Sequence, residues 1–250
     1  MPTFLDTPAI ILKRIDWRES SMMVTMLTRE GGKLGVVARG VRKPKSDIGP
    51  ALEPLTESQV VLSLSERSSL AHLKSADVAE YFAGLKSSFV RITLAGALCE
   101  LVDHALPEGE EARELYAHLR AILSGIDTSD EAHGVNWLWK GILELSADLG
   151  YALSFEECVA CGNPDGPHPA FSIVQGGPVC DACFADGPVV WSRETSEMLS
   201  WLSLVDHVGL TERRIPKAVN REIRDLLESC FQYHIPNFER FRSLELLRGG

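Results

Sequence analysis

The sequence predicts an α+β chain: a small closed β-barrel first, then a helical body carrying an inserted four-cysteine module. Three observations predict this. Apolar and polar residues alternate in short runs up to about residue 78, and beyond it apolar residues recur at helical spacing. A Gly-Gly turn and one long Gly/Pro-rich loop mark connections among five such runs. Finally, Cys158, Cys161, Cys180 and Cys183 form two CxxC pairs with eighteen residues between them.

The expected strands are Ala9–Arg14, Met22–Thr28, Lys33–Arg39, Ser58–Leu64 and Leu70–Ala76. Strands two and three are joined by Arg29-Glu30-Gly31-Gly32, a hairpin turn by its glycines. Strands three and four are separated by a long loop, residues 40–57, rich in Lys, Arg, Pro and Gly. Five short strands with one long loop fit a barrel such as the OB-fold; an SH3-like barrel meets the same count. This region, residues 1–78, forms the first expected domain.

Residues 79–153 and 187–250 form the helical body. Val90, Leu94, Ala97, Leu98, Leu101 and Val102 make an apolar face over residues 88–105. A second helix is expected over residues 110–124, where Glu108–Glu111 read as a solvated, dipole-favoured start. A third runs through His133–Leu149. Trp137, Trp139 and Leu143 lie off its main stripe, so it reads as a central helix buried on several sides, the other reading being an apolar groove for a partner. Helices resume after Ser192, an N-cap residue type, and at Pro216, a first-turn proline. A short final helix is expected over Asn237–Leu247. Cys99 and Cys230 sit among apolar residues and read as core.

The module, residues 154–186, supplies two thiolate pairs for one ion. Four soft ligands fill a tetrahedral site and leave no open position to activate water, so a structural Zn2+ is the expected occupant. An iron–sulfur cluster, two disulfides, or replacement of one thiolate by His168 are the rival readings. The N-terminus lacks the basic and apolar stretches of a signal peptide, and no apolar run reaches membrane-spanning length. A cytoplasmic chain with reduced cysteines is expected.

The net charge of -10 argues against a nucleic-acid partner until its distribution is read. Residues 1–50 hold nine Lys/Arg against five Asp/Glu, whereas residues 81–250 hold fourteen against twenty-five. Local charge is what meets phosphate. Arg39, Arg42, Lys43 and Lys45 fall within seven residues, with Gly40 and Pro44 keeping the segment out of a helix. A cationic loop beside a barrel groove suits a phosphate chain, with Phe4, Trp17, Tyr81 and Phe82 as the few aromatics able to stack on bases. Trp17 beside Arg18 is the most suggestive of these. There is no phosphate-loop, dinucleotide, HExxH or GxSxG motif, so no enzyme is expected.

The stretch Thr28-Arg-Glu-Gly-Gly-Lys-Leu-Gly-Val-Val-Ala-Arg-Gly-Val-Arg-Lys-Pro-Lys-Ser46, then Gly49-Pro-Ala-Leu-Glu-Pro-Leu55, resembles the RecO recombination mediators of bacterial DNA repair. The cysteine module is similar to that of the family's zinc-bearing branch, and Phe241-Arg-Ser-Leu-Glu-Leu-Leu247 to its C-terminal ending. The resemblance implies an N-terminal OB-fold, a helical body and a zinc-finger-like insertion. It implies binding of single- and double-stranded DNA, strand annealing, and work with RecR to load RecA onto strand coated by single-strand-binding protein. DNA contact falls on Lys33, Arg39, Arg42, Lys43 and Lys45. The helical body would take the coating protein's acidic tail, around residues 89–106 and 137–145, with Arg213, Arg214 and Lys217 as local cations. A nucleoid-associated location follows. A zinc-ribbon protein–protein adaptor without DNA activity is the alternative.

Overall fold

A computed structural model describes residues 3–43, 47–65, 68–165, 167–184, 187 and 189–247. Five strands, β1 (Thr3–Trp17), β2 (Ser21–Thr28), β3 (Gly32–Ala38), β4 (Glu57–Ser65) and β5 (Ser68–Glu80), close a barrel in the order β1-β2-β3-β5-β4. Each expected strand falls largely within one of these, and most extend further than the alternation of sequence suggested. The arrangement is compatible with the OB-fold. All neighbours pair antiparallel except β3 and β5, which meet in parallel at Val36↔Ala71 and Val37↔His72.

The strand β1 is long because it serves two neighbours. Its first half pairs with β4 and its second with β2, with a register shift between Ile11 and Lys13. Both of its faces are buried along Ala9–Leu12. Ala9 and Ile11 point into the barrel with Val24, Met26, Val36, Val60 and Leu62, whereas Ile10 and Leu12 join the core of the helical body. The period of two thus shares one strand between two cores. A short turn of helix, Pro50–Leu52, buries Ala51 and Leu52 in the barrel, and Ser58 Oγ donates to the Ala51 carbonyl at 2.7 Å.

The body consists of α1 (Ala83–Lys86), α2 (Phe89–Ala105), α3 (Arg113–Thr128) and α4 (Gly134–Asp148), followed by α5 (Arg193–Leu204), α6 (Lys217–His234) and α7 (Arg242–Glu245). Ser88 caps α2 by accepting from the Arg91 N–H, and Ser192 caps α5 by accepting from that of Thr195. Helix α4 is central, with Leu138, Trp139, Ile142 and Leu145 buried. Trp139 Nε1 donates to Asn220 Oδ1 at 2.7 Å, which ties α4 to α6. Trp137 packs over Gly125, where a Cβ would stand 2.3 Å from the ring. Cys99 and Cys230 are core residues whose thiols burial pushes up to about 12.

Three expectations are corrected. Helix α3 starts at Arg113, so Glu108–Glu111 are not its first turn: Glu108 bridges to Lys33 of β3, and the Gly109 N–H donates to the Lys33 carbonyl at 2.9 Å. Pro216 is the N-cap of α6 rather than part of its first turn. The final helix is only Arg242–Glu245: Asn237 takes φ +59, and Phe241, the N-cap, is still extended.

The body and barrel meet closely at the β2–β3 turn. Gly32 has φ +64, and a Cβ there would lie 1.8 Å from the Glu110 carbonyl oxygen. Gly32→Ala is therefore expected to destabilise the chain by more than the roughly 1–2 kcal/mol of a left-handed residue alone. Gly49→Ala, which meets nothing within 4 Å, is the control and should stay within about 0.5 kcal/mol of the parent in chemical denaturation.

Candidate nucleic-acid interface and metal centre

One end of the barrel is cationic. Beyond β3 the chain turns at Gly40, φ +73, and Val41 inserts into the barrel core. Anchoring at Val41 leaves Arg39, Arg42 and Lys43 exposed on a fixed platform. The Arg42 N–H donates to the Ser20 carbonyl at 3.3 Å, and the Lys43 N–H to that of Gly40 at 3.2 Å. The first bond holds the platform against the β1–β2 turn, where the Arg18 guanidinium lies 4.2 Å over the half-buried Trp17 ring. Arg42 is partly neutralised by Asp16, with Nη1 3.3 Å from Oδ2. Arg18 is a member that the cation run of residues 39–45 does not contain; the Trp17-Arg18 pair was its signal. Lys45 lies outside the described residues.

Lys33 belongs elsewhere. It is 7% exposed, its ammonium donates to the Asp103 carbonyl of α2, and its Nζ is 3.9 Å from Asp103 Oδ1. Burial lowers its pKa, opposed by Asp103 and Glu108. It joins the barrel to the body and does not share the platform. Of the stacking candidates, Phe4 is exposed at the start of β1 and Phe82 is buried. Tyr81 lies under the Lys86 ammonium and donates to Glu53 Oε2 at 2.8 Å.

The seam between barrel and body also holds Glu57 of β4. Its carboxylate, nearly buried, accepts from Tyr116 Oη at 2.6 Å and from Arg120 Nε at 2.9 and 2.8 Å. Burial and this carboxylate together push the Tyr116 phenol upward.

The second site lies in the module, whose strands β6 (Ala170–Ser172) and β7 (Gly177–Val179) form a small sheet with β8 (Val189–Val190), just past the module, in the order β7-β6-β8. The four sulfurs of Cys158, Cys161, Cys180 and Cys183 lie within 4.8 Å of one another, and all four cysteines are free. Sulfurs about 2.3 Å from a central ion have tetrahedral edges of about 3.8 Å. The Cys161–Cys180 separation is 3.8 Å, far beyond a disulfide bond, so the donor set fits a metal ion. The Cys180 N–H donates to Cys158 Sγ at 3.4 Å and holds the Cys158 thiol down to about 6. Neighbouring thiols of Cys161 and Cys180 push Cys183 up to about 12. His168 is not in the group; its Nε2 lies 3.2 Å from the Asn163 carbonyl. Phe155, Phe171 and Trp191 fasten the module into the core of the body. From Lys140 to Arg193 the sequence holds no other Lys or Arg.

A third feature lies on the body. A cavity of about 560 Å³ has Leu94, Val135, Leu138, Trp139 and Leu244 along its walls and Lys217, Arg221 and Arg224 among its lining residues. Of the body cations expected from sequence, only Lys217 lines it. Arg221 and Arg224 were missed; their signal is the spacing Lys217, Arg221, Arg224 along one face of α6. Among the described residues no helix is long and apolar enough to cross a membrane.

The chain is thus a two-part protein, a closed barrel with a cationic end fused to a helical body that carries a four-thiol centre. The chain belongs to the recombination protein O family. Residues 1–82 match the model for the N-terminal part, "Recombination protein O N terminal", and residues 86–245 that for "Recombination protein O C terminal". It is similar to the "DNA repair protein RecO" of Myxococcus xanthus, 33% identical over 97% of this chain and 96% of that one. The protein of that name from Streptomyces coelicolor is 33% identical over 90% of this chain and 92% of its own length. That from Syntrophomonas wolfei is 29% identical over 90% and 89%.

If the four thiols hold a metal, Cys158→Ser should release it and lower the Tm by roughly 5–10 °C, since metal binding and folding are coupled. Differential scanning fluorimetry with metal analysis checks this; an unchanged Tm in a chelated, metal-free sample would contradict it.

Proposed function

We propose that this chain is a non-enzymatic DNA-binding mediator of recombination in DNA repair. In this reading it binds single- and double-stranded DNA, anneals complementary strands and, with RecR, helps load RecA onto strand coated by single-strand-binding protein. The observation that carries it is the anchored platform of Arg39, Arg42 and Lys43, joined by Arg18 over Trp17 and extended in sequence by Lys45. Annealing needs no covalent chemistry, because cations that screen two phosphate chains bring them together. The reading divides the chain into an OB-fold barrel, residues 1–78, a helical body of residues 79–153 and 187–250, and the module of residues 154–186. It takes the ion to be structural Zn2+, held by the four thiolates, which supplies folding stability and no open position for chemistry. It places the protein in the cytoplasm, on the nucleoid.

The cavity beneath α6 supports a tail contact on the body. Apolar walls suit a terminal apolar side chain, and Lys217, Arg221 and Arg224 suit a terminal carboxylate and acidic residues. That local charge answers the repulsion expected from the acidic body.

Changing Arg39, Arg42 and Lys43 to Ala should weaken oligonucleotide binding and lower the log–log salt slope by roughly 0.7–0.9 per lost contact. Fluorescence anisotropy across a salt series checks it. An unchanged slope would mean a merely solvated platform, and no binding even at low salt would favour the protein–protein adaptor. For the socket, an acidic peptide with an apolar last residue and a free carboxylate should bind, and Arg224→Ala should weaken it by roughly tenfold. Equal binding of the amidated peptide would remove the carboxylate contact.

A further inference from the structure

The four sulfurs differ in access. Cys158 and Cys180 are buried, Cys183 is half-buried and Cys161 is exposed. Cys161 precedes Gly162, whose φ of +70 turns the chain away and leaves no atom within 4 Å of the space a Cβ would fill. The Cys158 sulfur, by contrast, is covered and accepts the Cys180 N–H. Small oxidants react with sulfurs that combine thiolate character with exposure. Cys161 meets the exposure condition, and Cys180 lies 3.8 Å from it on the opposite CxxC turn.

We propose that the cluster is an oxidation site at which Cys161 is oxidised by hydrogen peroxide and Cys180 resolves the product, forming a Cys161–Cys180 disulfide. This rests on the zinc reading above. In the first step the Cys161 thiolate attacks one peroxide oxygen, the O–O bond breaks, and hydroxide leaves; the oxygen joined to Cys161 keeps its hydrogen, so the product is a sulfenic acid. In the second, the Cys180 thiolate attacks Cys161 Sγ, the S–O bond breaks and hydroxide leaves. Each hydroxide takes up a proton. Two thiolates, one peroxide and two protons therefore give one disulfide and two waters, the sulfurs losing the two electrons that the peroxide gains. Two of the four ligands are then spent, and the ion is released.

The attachment of the module does not depend on these sulfurs. The Phe171 ring lies 5.1 Å from Trp191 and 6.0 Å from Phe155, all within the body core. Trp191 Nε1 donates to the His168 carbonyl at 2.6 Å, and the Ser154 N–H to that of Gly176 at 2.9 Å. Oxidation thus opens the two cysteine turns while the module stays docked, and reduction with fresh zinc closes them again.

The test uses the whole purified chain. Zinc is first measured by elemental analysis; hydrogen peroxide is then added, release is followed with a chromophoric chelator, and disulfides are mapped by mass spectrometry. The expected result is one zinc per chain, lost in step with a Cys161–Cys180 link and regained after a thiol reductant and zinc. Cys161→His keeps a ligand but removes the exposed sulfur, and should slow release by roughly tenfold or more. If that variant fails to hold zinc, the disulfide map of the parent chain decides alone. A parent chain without zinc before any oxidant would overturn the zinc reading and this proposal with it. Stoichiometric zinc with links only inside the CxxC turns, or with no link at all, would overturn this proposal alone.

Discussion

Glu57 is a carboxylate of the barrel buried against the body, and its charge is met there by Tyr116 and Arg120 of α3. Lys33 makes the reciprocal contact, a barrel cation on the Asp103 carbonyl of α2. A buried charge without its partner is strongly unfavourable, so each contact demands that barrel and body lie in register. Lys13 adds a third tie, its Nζ 2.5 Å from Asp103 Oδ2, though at the surface such a pair contributes little. These ties fix where the cationic platform stands relative to everything in the helical half.

The apolar side of the same seam is built by β1. Ile10 and Leu12 enter the body core while Ala9 and Ile11 fill the barrel, so slipping this strand by one residue would invert both cores at once. Polar ties choose the register and apolar burial holds it. The module is fastened by a different device, aromatic rings set into the body core, with the sulfurs ordering the turns beyond them.

Local features were legible in the sequence and long-range ones were not. Alternation located all five strands and the paired glycines the turn between the second and third, because strand faces and tight turns are decided by neighbouring residues. The CxxC spacing located the four-thiol cluster for the same reason. Lys33, given a DNA contact by the resemblance, lies instead against α2, because a motif matched along the chain says nothing about which of its residues faces a helix seventy residues away. Glu57 and Arg120 are separated by 63 residues and carry no pattern linking them. The final helix was read too long because its apolar residues, Phe238, Phe241 and Leu244, pack into the core from mostly irregular backbone. Phe82 looked like a stacking aromatic until the fold buried it.

The cation-free run between Lys140 and Arg193 contrasts with the cationic platform of the barrel. With a net charge of -10, the chain as a whole repels a polyanion at a distance, while the platform attracts it at contact. Beyond a Debye length of about 8–10 Å, salt erases the first effect more completely than the second. On the proposed DNA-binding reading, approach and residence answer to salt in opposite senses: screening eases arrival by removing the long-range barrier, and shortens the stay by weakening the grip.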